Sequence, residues 1–114
     1  MGTYQGAALD ALGDPSRRAI FERLGHGACA VGELAAELPI SRPAVSQHLK
    51  VLKQAGLVTD AAVGTRRVYR LNPAGIDALC AYFTHFWSTA LSAYRDEAHR
   101  QAQEGTRTAT EEQP

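Results

Sequence analysis

Cysteine is scarce in this chain: there are two in 114 residues, Cys29 and Cys80. Two thiols cannot hold together a disulfide-dense scaffold of the kind that small secreted domains use. No apolar run approaches the roughly 20 residues needed to span a bilayer. No charged segment followed by an apolar stretch opens the chain, so no signal peptide is expected, and a cytoplasmic location is. Glycine-rich phosphate loops, nucleophile–base pairs at recognisable spacing and paired carboxylates in a plausible cleft are all missing, and the four histidines are scattered. The sequence therefore gives no support to an enzyme, and no cofactor is expected. Net charge is missing too, because 12 basic and 12 acidic residues cancel. Taken alone, that balance speaks against a polyanionic partner.

The distribution of charge points the other way. Residues 41–70 hold six basic residues (Arg42, Lys50, Lys53, Arg66, Arg67, Arg70) and one acidic residue, Asp60. The remainder holds six basic and eleven acidic residues. Local charge sets the field at a binding face. Within the basic stretch, Val45, Leu49 and Leu52 recur at i, i+4 and i+7, an apolar helical stripe. Arg42, Ser46, Gln47, His48, Lys50 and Lys53 occupy the rest of that helix, and no acid interrupts them. Such a face suits a partner that is negatively charged and rich in hydrogen-bonding edges, as DNA is.

With 45% hydrophobic residues and this length, one domain with a modest core is expected. Residues 1–5 read as frayed, and about 6–13 as weakly helical through Ala8, Leu9 and Leu12. Asp14-Pro15 opens a second helix, by N-cap and first-position proline, and Gly25-His26-Gly27 closes it. Val31 to Leu38 reads as a short helix broken at Pro39-Ile40. Ser41 then caps the basic helix, which Gly56 ends. Two short helices joined by a tight turn, the second basic, form a helix-turn-helix signature. Leu57–Asp60 and Arg67–Leu71 are β-prone runs around a tip at Val63-Gly64-Thr65, which predicts a hairpin, or wing. Asn72-Pro73 opens the longest helix, expected over about 73–103, and residues 104–114 read as a disordered tail. The domain proper is thus expected over residues 6–103. On the long helix Ile76, Leu79, Cys80, Phe83, Phe86, Trp87, Ala90, Leu91 and Tyr94 form one stripe. A domain this small has little core left to cover it. A partner helix from a second copy is expected, with help from the first helix. The fold class expected is mainly α with a small β-hairpin: a winged helix-turn-helix, homodimeric through its first and last helices.

Three stretches carry a family resemblance: Leu12-Gly13-Asp14-Pro15-Ser16-Arg17-Arg18-Ala19-Ile20, Val31-Gly32-Glu33-Leu34-Ala35, and above all the run from Pro43 to Val58. Together they resemble the ArsR-type (ArsR/SmtB) winged-helix repressors of bacteria, over roughly residues 6–95. The resemblance implies a homodimer that occupies an operator and blocks transcription until a signal releases it. Many members bind a metal through a Cys-x-Cys pair before the turn. Here Ala30 and Gly32 stand at those positions, and Cys29 is one place off. A second family site, on the long helix, would need a pairing that His85, Asp96, Glu97 and His99 do not reproduce. No metal site is therefore expected.

The residues expected to meet DNA are Ser41, Arg42, Ala44, Ser46, Gln47, His48, Lys50 and Lys53 on the helix, with Arg66 and Arg67 on the wing. Gln47 suits bidentate pairing with adenine, Arg42 with guanine, and Ala44 a thymine methyl. Lys50 and Lys53 suit phosphates. His48 is divided between DNA contact and local packing. The residues expected at a dimer interface are Leu9, Leu12, Leu79, Phe83, Phe86, Trp87, Ala90, Leu91 and Tyr94. Cys29 and Cys80 would form a redox switch only if the fold brought them within disulfide range. The sequence does not choose between a small apolar effector near Phe83, Phe86 and Trp87 and no ligand at all. The competing function is a winged-helix protein–protein module without DNA binding.

Overall fold

A computed structural model describes the backbone of residues 2–112 and the side chains of residues 6–105. The elements run α1 (Gly2–Ala11), α2 (Pro15–Leu24), β1 (Cys29–Ala30), α3 (Val31–Glu37), α4 (Arg42–Gln54), β2 (Val58–Val63), β3 (Arg66–Leu71) and α5 (Pro73–Glu112). The chain divides into two compact units, Met1–Cys80 and Ala81–Pro114.

Local chemistry sets the helix starts in the first unit. Asp14 Oδ1 accepts from the N–H groups of Ser16 (2.8 Å) and Arg17 (3.0 Å), with Pro15 in the first turn. These donors, Arg17 first, hold the Asp14 carboxyl below its ordinary range. Arg17 Nε donates to the carbonyl of Ala11 (2.7 Å) and Arg18 to that of Leu12 (3.2 Å). Those bonds satisfy acceptors that the end of α1 leaves open. Ser41 Oγ accepts from Ala44 N–H at 3.3 Å and caps α4. Asn72 Oδ1 accepts from Ala74 N–H at 3.3 Å and opens α5.

The sheet is antiparallel in the order β1-β3-β2. Val58 pairs with Leu71 and Val63 with Arg66, so Gly64-Thr65 is a two-residue turn. Gly64 takes a φ of +64°, which favours glycine. The third strand, β1, pairs Cys29 with Tyr69 and Ala30 with Val68. A hairpin alone was expected. A two-residue strand has no alternation to read, and only the tertiary register reveals it.

The core collects Ile20, Leu34, Val45, Leu49, Leu52 and Leu57, none with any exposed surface, around which Ala8, Leu24, Cys29 and Leu79 are also buried. Leu9 and Leu12 pack against it half-buried. Leu79, expected at a dimer interface, is thus a core residue of the first unit.

Two differences from the expected boundaries follow. Helix α1 begins at Gly2, where a frayed terminus was expected; the side chains of residues 1–5 lie outside the described residues. Helix α5 continues to Glu112, through most of the stretch expected as a disordered tail, and residues 113–114 lie outside the described backbone. No proline intervenes between Pro73 and Pro114 to break the helix, and Glu104, Arg107, Ala109, Glu111 and Glu112 favour continuation past the weaker formers Gly105, Thr106, Thr108 and Thr110. The two thiols sit in different environments. Cys29 is buried in β1, and desolvation pushes its thiol pKa up, whereas Cys80 is exposed; both are free.

Candidate nucleic-acid interface

Helix α4 advances 100° per residue, which divides it into four strips. Val45, Leu49 and Leu52 form the fully buried edge. Opposite them lie Pro43, Gln47, Lys50 and Gln54, all exposed. On one shoulder stand Arg42, Ser46 and Lys53, also exposed, and on the other Ala44, His48 and Val51, half-buried.

The half-buried shoulder faces the N-terminal end of α2. His48 lies near enough to Asp14 to add to the lowering of its carboxyl pKa, behind the N–H groups of Arg17 and Ser16. His48 is half-buried on this shoulder, between the exposed face and the domain. Among the described residues Arg42, Ser46, Gln47 and Lys50 form no side-chain hydrogen bond or ion pair. Polar groups without internal partners, on an exposed helix face, are available to an external one. Ser41, by contrast, spends a lone pair on its own helix cap.

The other shoulder faces the wing, and here the structure adds what the sequence did not show. Lys53 Nζ lies 2.8 Å from Asp60 Oδ1, and Arg67 Nη1 donates to Asp60 Oδ2 at 2.7 Å. The Asp60 side chain is only 8% exposed, while those of Lys53 and Arg67 are more than half exposed. Lys53 first, and then Arg67, hold the Asp60 carboxyl below its ordinary range. Arg66 pairs with Glu33 on α3. Glu33 also accepts the N–H of Ala30 at 3.0 Å, and that bond is the main cause of its lowered pKa. Three of the basic residues expected to meet DNA are thus ion-paired within the domain.

Between α3, α4 and the wing turn lies a cleft of about 400 Å³, lined by Ala30, Val31, Gly32, Glu33, Arg42, Thr65, Arg66 and Arg67. The Arg42 guanidinium lies over the bare Cα of Gly32. Sequence reasoning placed Arg42, Arg66 and Arg67 in the basic surface but missed Glu33 and Asp60 as counterparts of the wing cations. The only signal for Asp60 was its standing as the single acid in residues 41–70.

In the second unit the apolar side chains of α5 are open to solvent: Phe83 is 44% exposed, Phe86 53%, Trp87 60%, Leu91 48% and Tyr94 76%. Ala90 is half-buried. Tyr82 and Phe83 meet edge-on at 5.7 Å between ring centroids, and Phe86 and Trp87 at 6.4 Å. His85, Asp96, Glu97 and His99 are exposed on the same helix. Among the described residues no three histidine, cysteine, aspartate or glutamate side chains gather as a metal site. Nor, among them, is any helix long and apolar enough to cross a membrane.

A helix-turn-helix domain model matches residues 12–61, the segment from the end of α1 into β2. The HTH-type transcriptional regulator Rv2034 of Mycobacterium tuberculosis is 59% identical over 96 residues, which is 82% of this chain and 90% of that protein. The transcriptional repressor SdpR of Bacillus subtilis is 40% identical over 62 residues, 54% of this chain and 69% of that one. Among solved structures, the ArsR-like transcriptional regulator from Rhodococcus sp. RHA1 superposes with a TM-score of 0.72 at 30% identity, over 86% of this chain and 97% of that chain. The exposed polar face of α4, the three-stranded wing and these likenesses agree: the chain belongs to the ArsR/SmtB family of winged helix-turn-helix transcriptional regulators.

Proposed function

We propose that this protein is a homodimeric transcriptional repressor that binds an inverted-repeat operator in double-stranded DNA in the cytoplasm. One observation carries the reading. The face of α4 opposite its buried anchors presents Gln47 and Lys50, with Arg42 and Ser46 on the shoulder, and none has an internal partner among the described residues. In a helix-turn-helix protein such a face lies in the major groove. Gln47 and Arg42 read base edges there, and Ser46 and Ala44 contribute contacts at the margins. Lys50 engages phosphate, while Lys53, Arg66 and Arg67 approach the backbone from the wing side. Ser41 and His48 act mainly in placing the helix. The relatives' names, a transcriptional regulator and a transcriptional repressor, support a DNA-binding role over a protein–protein module.

The homodimer is supported by the stripe on α5. Phe83, Phe86, Trp87, Leu91 and Tyr94 expose large apolar and aromatic surface, of the kind that marks a protein interface. Ala90 lies within that stripe, and Leu9 and Leu12 on α1 are further candidates for contact with a second copy. Twofold symmetry of the protein would then be mirrored in the operator.

The test is selection of bound duplexes from a random pool. An inverted repeat with half-sites about one helical turn apart is the expected outcome. Gln47→Ala and Arg42→Ala should each cost about 1–3 kcal/mol of discrimination at one position of the selected site. Lys50→Ala should weaken all sequences alike. No affinity for any duplex at low salt overturns the reading.

A further inference from the structure

Two cations of the wing, Arg66 and Arg67, and Lys53 at the end of α4 are ion-paired with carboxylates of the domain that carries them. Asp60 is almost covered, yet both of its oxygens point at exposed cations: Lys53 at 2.8 Å and Arg67 at 2.7 Å. Glu33 is fixed by the N–H of Ala30 and holds Arg66. Solubility does not call for these pairings, because the rest of the chain already carries an excess of acid. Stability does not call for the Arg66–Glu33 pair either, since both of its side chains are about half exposed and such pairs contribute little. What they do change is the field at the wing. A phosphate approaching Arg67, Lys53 or Arg66 must compete with a carboxylate already in place. On an unrelated duplex nothing else holds the protein, and the competition weakens binding. On a matched site the contacts of α4 hold the backbone beside the wing, and the cations can exchange carboxylate for phosphate.

We propose that Asp60 and Glu33 are specificity-determining residues, which keep Lys53, Arg66 and Arg67 in ion pairs and so hold down non-specific attraction to DNA. This rests on the DNA-binding reading above. It differs from the field of a simple basic patch, in which every cation contributes to every sequence.

The test uses the full chain with Asp60→Asn, Glu33→Gln and both together. Each amide keeps the shape and an acceptor, including the one that Glu33 offers to Ala30. Binding to the pool-selected duplex and to a random duplex is followed by fluorescence anisotropy over a salt series. Affinity for the random duplex should rise several-fold. The slope of log affinity against log salt should steepen by about 0.9 for each cation freed. Affinity for the selected duplex should change less, so that the ratio between them falls. Unchanged random-duplex affinity and slope in both single variants overturns the proposal. So does an equal loss on both duplexes with a lowered melting temperature, which marks a purely structural role. Glu33→Gln, whose side chain is about half exposed, keeps the test open should Asp60→Asn fold poorly. A wild-type protein that binds neither duplex at low salt overturns the DNA-binding reading itself. A wild-type protein that binds, with variants that behave like it, overturns only the proposal.

Discussion

At the scale of single residues the acids are the informative ones. Asp14, Glu33 and Asp60 all have carboxyls held below the ordinary range, and the leading causes differ: the N–H of Arg17, the N–H of Ala30 and the Lys53 ammonium. A carboxyl whose pKa is lower in the folded state stabilises the fold above its unfolded pKa. That contribution is lost as pH falls through the folded value. Thermal stability should therefore hold from neutral pH down to about pH 4, near the unfolded carboxylate value, and drop below it. The melting temperature of Asp60→Asn, followed over the same range, should fall less steeply. An identical acid limb in the two proteins would mean that Asp60 is not held as described. The cap at Asp14 was legible in the sequence because its donors are two and three residues away. Asp60 was not legible in the same way. Lys53 reaches it from another element, and Arg67 meets it diagonally across a register that pairs Asp60 with Tyr69 and Ala62 with Arg67.

At the scale of elements the joint between α4 and α5 fixes where the recognition surface ends. Gly56 closes α4 with a φ of +79°, its carbonyl accepts from Asn72 Nδ2 at 2.9 Å, and Asn72 N–H donates to Leu57 O at 2.8 Å. A side chain at Gly75 would run into the Gly56 carbonyl oxygen, which is backbone and cannot swing aside. Gly75→Ala should therefore destabilise the first unit by about 1–3 kcal/mol, against the stabilisation that the same change gives in an ordinary helix interior. Urea unfolding would check the sign, and a gain in stability would contradict the close approach. Nothing in the local sequence distinguishes Gly75 from a tolerated helix glycine. The helix-turn-helix itself was legible, because its spacing, caps and buried edge are all local. Strand β1 was not, since its partner β3 lies far along the chain.

At the scale of the whole molecule the question is what covers the aromatic stripe of α5. Trp87→Glu, alone or with Phe86→Glu, should shift the protein from dimer to monomer in sedimentation velocity. The expected cost is about 2 kcal/mol or more in dimerisation, as for central aromatic anchors. Far-UV circular dichroism should show the helices retained. Binding to a full inverted repeat should weaken more than binding to one half-site. A dimer that survives both charges would move the interface elsewhere. By itself the sequence determined the starts of α2, α3 and α4, the buried edge and polar face of α4, the wing turn and the apolar stripe of α5. All follow from periodicity and from caps a few residues apart, which a chain carries locally. Only the tertiary structure decided that Leu79 belongs to the core, that Cys29 rather than Cys80 is buried, and that Lys53, Arg66 and Arg67 already have partners. Each of these depends on which distant residues meet across the fold, and pairing at such separation leaves no period in the sequence.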